Sequence, residues 1–269
     1  MTPPIITLTT DFGLQDHYTG TMKGVILSRC PGAPIVDITH HIPPFSLYAG
    51  AYAISQAAPF FPPGTIHVVV VDPGVGTARK PLLVEFERQF FVAPDNGVLS
   101  LRLSHDAAFT AREITNRQLW LPNPSSTFHG RDIFAPSAAA LANGSASPQD
   151  LGPLLDRIEC LPDLEPIETE PGISQGKILS IDHFGNVITN FRSPAATFSL
   201  RIGPHHIRDF RQSFGGAPPD LLFAYLGSSG YLEVARNGRS AARALGVSPG
   251  DAVTLHLHDT IGESRKVLP

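Results

Sequence analysis

Residues 67–80 read His-Val-Val-Val-Val-Asp-Pro-Gly-Val-Gly-Thr-Ala-Arg-Lys, and no other stretch constrains the fold as much. Four consecutive valines leave a strand no face for water. Such a run suits a strand covered on both sides, as in a parallel sheet between helix layers. The run ends at Asp72. Pro73, Gly74 and Gly76 then turn the chain and bring backbone amides close to whatever sits above the strand. Arg79 follows. Ligands of open parallel sheets bind outside the carboxyl ends of the strands, so Asp72 and Arg79 become candidate site residues. The alternative, on this stretch alone, is an acid that caps the turn and a solvated arginine.

The surrounding chain supports a parallel sheet. Ile5 to Thr9 is a short β-branched run closed by Thr10-Asp11-Phe12-Gly13. Asp16 to Arg29 carries apolar residues near helical spacing and stops at Pro31-Gly32. Pro34 to Ile38 reads as a strand, Ser46 to Ala58 as a helix, and Thr65 to Val71 as the valine strand. This β-α-β-α-β order puts Asp11 and Asp72 on one sheet edge. Leu82 to Phe86 and Gln89 to Ala93 read as a hairpin, and Pro94-Asp95-Asn96-Gly97 as a turn. Phe128-His129-Gly130-Arg131-Asp132 precedes a helix reaching about Ala142, so His129 can hydrogen-bond outward, pack or cap.

Prolines accumulate between Gly144 and Gly172, and short strands separated by turns follow, with one helical stretch at Ser240 to Leu245. The expected organisation is α/β: residues 1–160 form a mostly parallel N-terminal domain, 161–172 a linker, and 173–269 a small all-β barrel or sandwich. A net charge of -4, without a basic cluster among aromatics, disfavours nucleic acid. No apolar run suggests a membrane helix or a signal peptide. Cys30 and Cys160 have neither CxxC nor zinc spacing, as expected of reduced cysteines in the cytoplasm. Asp11, Asp37, Asp72 and His129 offer an oxygen-rich metal site as one alternative. In the second half, Asp182-His183-Phe184-Gly185-Asn186 can pair an ammonium, stack a planar ring and read a base edge, or simply form an Asx-stabilised hairpin turn.

Together these stretches resemble the SAM hydroxide adenosyltransferases, adenosine-forming hydrolases of S-adenosyl-L-methionine (SAM) related to the SAM-dependent fluorinase and chlorinase. The resemblance rests on Thr10 to Gly13, Asp72 to Gly76 with Arg79, Pro94 to Gly97, Phe128 to Asp132, Ile181 to Asn190 and Ser228 to Asn237. It implies a Rossmann-like N-terminal domain and a C-terminal β-barrel, a homotrimer with SAM held at subunit interfaces, adenosine and L-methionine as products, and no cofactor. It further implies that Asp11 binds the ribose hydroxyls, with Asp16 close by and Phe45 where the halogenating relatives have a tryptophan. Asp182 would take the methionine amino group. Phe184 and Phe214 would sandwich adenine, Asn186 would read its edge with backbone near Gly238, and Ser228 and Ser229 would hold the carboxylate. The fluorinase has an arginine at the Ser229 position, which makes the carboxylate contact here weaker or backbone-based. At the reacting centre the fluorinase has a tyrosine for Asp72 and a Tyr-Ser pair for His129-Gly130. Asp72, Arg79 and His129 match the set that marks the hydroxide branch. The competing expectations are a halogenase of the same fold and a non-catalytic SAM or adenosine binder.

Overall fold

The structure, a computed structural model, describes residues 2–103, 108–194, 196–215 and 217–258. The chain divides into two compact units, Met1–Pro162 and Asp163–Pro269.

The first unit holds strands β1 (Ile6–Thr10), β2 (Ile35–Thr39), β3 (Ile66–Val70), β4 (Pro81–Phe86), β5 (Gln89–Pro94), β6 (Thr110–Glu113) and β7 (Leu154–Leu155). Their order in one sheet is β2-β1-β3-β5-β4-β6-β7. The β2, β1, β3 and β5 pairings are parallel, and those of β5 with β4, β4 with β6 and β6 with β7 are antiparallel. Helices α1 (Tyr18–Arg29) and α3 (Ala135–Ala142) cover one face, and α2 (Leu47–Ala57) covers the other. A short α4 (Pro148–Leu151) follows.

The valine run is buried on both sides. Val68 and Val70 pack with Met22, Ile26, Ala138 and Ala139, while Val69 and Val71 pack with Ala49, Ile54 and Leu99. Thr10 pairs with Val70, so β1 and β3 end level and carry Asp11 and Asp72 on the same edge. Sequence periodicity missed β6 and β7. Thr-Ala-Arg-Glu lacks an apolar run and β7 has only two residues, so pairing alone defines both.

The second unit holds β8 (Ile167–Glu170), β9 (Ile173–Ile181), β10 (Val187–Arg192), β11 (Thr197–Ile202), β12 (His205–Ile207), β13 (Leu222–Leu226), β14 (Tyr231–Arg236) and β15 (Ala252–His258), with α5 (Ala241–Leu245). The order is β12-β11-β15-β9-β10-β14-β13, with β8 also on β9. All pairings between these strands are antiparallel, and a bridge from Phe210 to Ala224 nearly closes the sheet into a barrel. Ile178, Val187, Leu200, Val234 and Leu255 fill it. The stretch 161–172, read as linker, contains β8, whose residues are all exposed and which owes its strand form to β9. Of the expected barrel segment 173–269, residues 259–269 lie outside those described.

Candidate active site

The loop after β3 is built to hold Asp72. Val75 N donates to Asp72 O at 3.2 Å, and Thr77 Oγ1 to Gly74 O at 2.7 Å, closing a tight turn. Gly76 has φ +78°, and a Cβ there would lie 2.3 Å from Ser126 O. Glycine therefore admits the 123–127 loop against the Asp72 loop. The Pro94–Gly97 turn buttresses the strand end: Asn96 Nδ2 donates to Val71 O at 2.9 Å.

Arg79 grips Asp72 with a forked guanidinium. Nε donates to Oδ1 at 3.0 Å and Nη2 donates to Oδ2. Both side chains are buried, at 8% and 5% exposure, and the guanidinium also lies 5.2 Å over the Phe134 ring. Arg79 Nη2 further reaches His129 Nδ1 at 2.9 Å. The three residues singled out from sequence thus form one connected group within the first unit.

His129 sits at the start of a π-helical turn, Gly130–Phe134, that runs into α3. Such turns re-aim side chains within a helix, often at functional sites. Phe128 packs edge-on against Phe12 and Tyr18, with ring centres 5.8 and 5.1 Å away, and ties this segment to the β1–α1 loop. Asp132, fully buried, accepts Ser125 N at 2.8 Å and Arg131 Nε at 2.6 Å, which sets the preceding loop. Sequence reading did not single out this anchoring role for Asp132. Burial first, and then the Arg79 charge, lower the His129 pKa; Asp72 and Asp132 oppose this. A guanidinium nitrogen can only donate, so His129 Nδ1 must be the acceptor. The neutral ring then carries its proton on Nε2.

Asp11 Oδ2 accepts Phe45 N at 2.9 Å and fixes Phe45 at φ +66° with its ring 70% exposed. Burial raises the Asp11 pKa, the Phe45 amide opposes this, and the Asp72 charge adds to it. Asp16 is exposed in the same β1–α1 loop. Behind Asp11, buried His40 receives or donates a hydrogen bond with Thr10 Oγ1 at 2.8 Å through Nδ1 and lies 3.1 Å from Asp37 through Nε2. Asp37 also pairs with Lys23 at 2.5 Å. With Asp37 and Asp72 committed to cations, the alternative metal set loses its ligands. Among the described residues no cluster of His, Cys, Asp and Glu is arranged to hold an ion.

In the second unit Asp182 closes the β9–β10 hairpin. Oδ1 accepts Phe184 N at 2.9 Å and Asn186 N at 2.8 Å, and Oδ2 accepts Asn186 Nδ2 at 2.7 Å. The Asx turn expected as the structural alternative is therefore present, and it aims Phe184 outward at 77% exposure. Asp182, Phe184, Ser240 and Arg243 line a cleft of about 600 Å³. Phe214 packs edge-on against Phe223 and Tyr225, with ring centres 5.5 and 5.1 Å away. Ser228 and Ser229 form the tip of the β13–β14 hairpin, and Gly238, at φ +78°, follows β14.

Two family models match the chain. The SAM hydroxide adenosyltransferase N-terminal domain covers residues 6–152 and the C-terminal domain covers residues 176–254. The chain belongs to the SAM hydroxide adenosyltransferase family. The "(R)-S-adenosyl-L-methionine hydrolase" of Thermus thermophilus is 41% identical, with 91% of this chain and 96% of that protein aligned. A fluorinase from Actinoplanes sp. is more distant, at 29% identity over 94% of this chain and 97% of its own. Among solved structures, a conserved protein from Thermotoga maritima superposes with a TM-score of 0.82 at 37% identity, covering 93% of this chain and 99% of that one. The first adenosyltransferase model spans Asp11, Asp72, Arg79 and His129, and the second spans Asp182 through Gly238.

Proposed function

We propose that this adenosyltransferase-family chain hydrolyses SAM to adenosine and L-methionine. The observation that carries the reading is the buried Asp72–Arg79–His129 connection. Water attacks C5′ in line, and the C5′–S bond breaks with its electron pair going to sulfur. The sulfonium leaves as a neutral thioether, so the leaving group needs no metal or cofactor. The attacking oxygen sheds one proton, giving adenosine, methionine and a released proton.

The protein's task is positioning and charge. Arg79 holds Asp72 in one orientation, and the remaining carboxylate lone pairs accept from the water and polarise it. With Nδ1 occupied by Arg79, His129 acts through Nε2–H as a donor that orients the water, and Asp72 takes the proton. Asp11 holds the ribose with Asp16 and Phe45 beside it. Phe184, Phe214, Asn186 and backbone near Gly238 hold adenine, and Asp182, Ser228 and Ser229 hold the methionine end. The fold is read as a Rossmann-like domain followed by a β-barrel, assembled as a cytoplasmic homotrimer with its sites at subunit interfaces.

The test is chromatography of nucleosides after incubating pure protein with SAM, with and without chloride, fluoride or EDTA. Adenosine and methionine in equal amounts, unaffected by additives, are expected. A 5′-halo-adenosine would move the chain to the halogenase chemistry. SAM bound without turnover would leave a binding protein.

A further inference from the structure

Glu233 is a charged residue inside a barrel strand, where β14 otherwise reads Tyr-Leu-Glu-Val-Ala-Arg. It pairs with Ile188 on β10 and Tyr225 on β13 and is only 7% exposed. Burying a carboxylate is costly unless its oxygens are matched. Oε2 accepts the Tyr225 hydroxyl. Among the described residues Oε1 has no hydrogen-bond partner. It lies against Gly227, so close that a Cβ there would be 1.8 Å from it. Gly227 begins the tip that carries Ser228 and Ser229. Burial raises the Glu233 pKa, Tyr225 opposes this, and the Asp182 charge raises it further. Asp182 binds Asn186, two residues before Ile188, the β10 partner of Glu233, so the two carboxylates lie toward the same end of the β10–β14 pair, and among the described residues neither belongs to an ion pair.

The other side of the same tip carries the opposite charge. Arg192 Nη1 donates to Ser229 O at 3.0 Å, and its guanidinium lies 3.8 Å over the Tyr231 ring. The hairpin tip thus runs from an acid beneath Gly227 to a cation beside Ser229, which suits a zwitterion with its carboxylate at the serines and its ammonium toward the acids.

We propose that Glu233 is a second carboxylate for the α-ammonium of the substrate's amino-acid end, acting with Asp182. This rests on reading the chain as a SAM enzyme. An ammonium between the acids relieves their repulsion and supplies the partner that Oε1 lacks. A substrate without the amine leaves both acids unmatched. Glu233 is thus a specificity residue for α-amino acids, remote from C5′.

The experiment compares SAM with its deamino analogue, measuring kcat and KM for wild type, Glu233→Gln and Asp182→Asn. Glutamine keeps an acceptor for Tyr225 and removes the charge. Glu233→Gln is expected to raise KM for SAM about ten-fold, the worth of one charge-assisted hydrogen bond. It should leave kcat and the analogue's KM unchanged. Equal increases for both compounds, or none for SAM, would overturn the proposal by reducing Glu233 to a structural residue. Asp182→Asn tests it without disturbing Glu233. That variant should retain part of the preference for the amine, and losing all of it assigns recognition to Asp182 alone and overturns the proposal. Wild type that neither binds nor cleaves SAM overturns the functional reading itself, a failure visible before any variant is compared.

Discussion

Arg79 stands between Asp72 and His129 and meets them differently. It presents two donors to the carboxylate and one to His129 Nδ1. Asp72→Asn retains the shape but cannot hold the same charge or accept at both positions. It is expected to bind SAM within a few-fold of wild type and lose about 10²-fold or more in kcat, measured by calorimetry and by adenosine release. Full activity would remove Asp72 from the mechanism. For His129 the expectation concerns pH. Its pKa lies below the usual 6.5 because of burial and Arg79, so the neutral ring persists below that value. Protonation at Nδ1 would then place two donors face to face. The acid limb of kcat/KM is expected with a midpoint under 6.5, and a midpoint above it would contradict the Nε2–H tautomer. Sequence named all three residues, but it could not assign a tautomer, because that depends on which His129 nitrogen Arg79 meets.

At the scale of elements, the site is where two loops meet above β3. The valine run announced a doubly covered strand, and its end announced the edge that carries Asp11 and Asp72. Less legible was how the 123–129 segment reaches that edge. It requires Gly76 at φ +78° with Ser126 O in the space a Cβ would occupy, and a π turn after His129. Neither has a periodicity to read, since both follow from contacts between segments distant in sequence. Gly76→Ala is expected to push the His129 loop outward and reduce kcat about 10²-fold, as misplacement of a catalytic group does. Gly74→Ala is the control: its Cβ would meet Arg79 Cγ and Thr77 Oγ1 at an ordinary 3.5 Å. If both variants show equal activity and thermal stability, the close approach at Gly76 is not what sets the site.

At the scale of the whole molecule each unit has its own core, and each unit buries a titratable residue that hydrophobic patterning does not flag. His67 and Glu233 lie within strands whose apolar neighbours made both segments readable, yet their burial is set by what packs over them: Phe91 stacked 4.8 Å from the His67 ring, Tyr225 across from Glu233. Burial lowers the His67 pKa to about 4 from 6.5. The unfolded chain therefore binds a proton between those values that the native chain refuses, so stability falls as pH drops through that window and levels off below it. A shift of that size corresponds to about 3 kcal/mol at most. His67→Gln removes the proton site while retaining a polar group near Thr7, which bonds His67 Nδ1 at 2.7 Å. At pH 7 the variant is expected to be less stable than wild type through lost stacking. As the pH falls toward 4.5 the gap should narrow, because only wild type carries the acid-dependent loss. Denaturant unfolding of both proteins across this range measures the gap. A gap that stays constant would mean that His67 takes up its proton in the folded protein, against the burial that surrounds it.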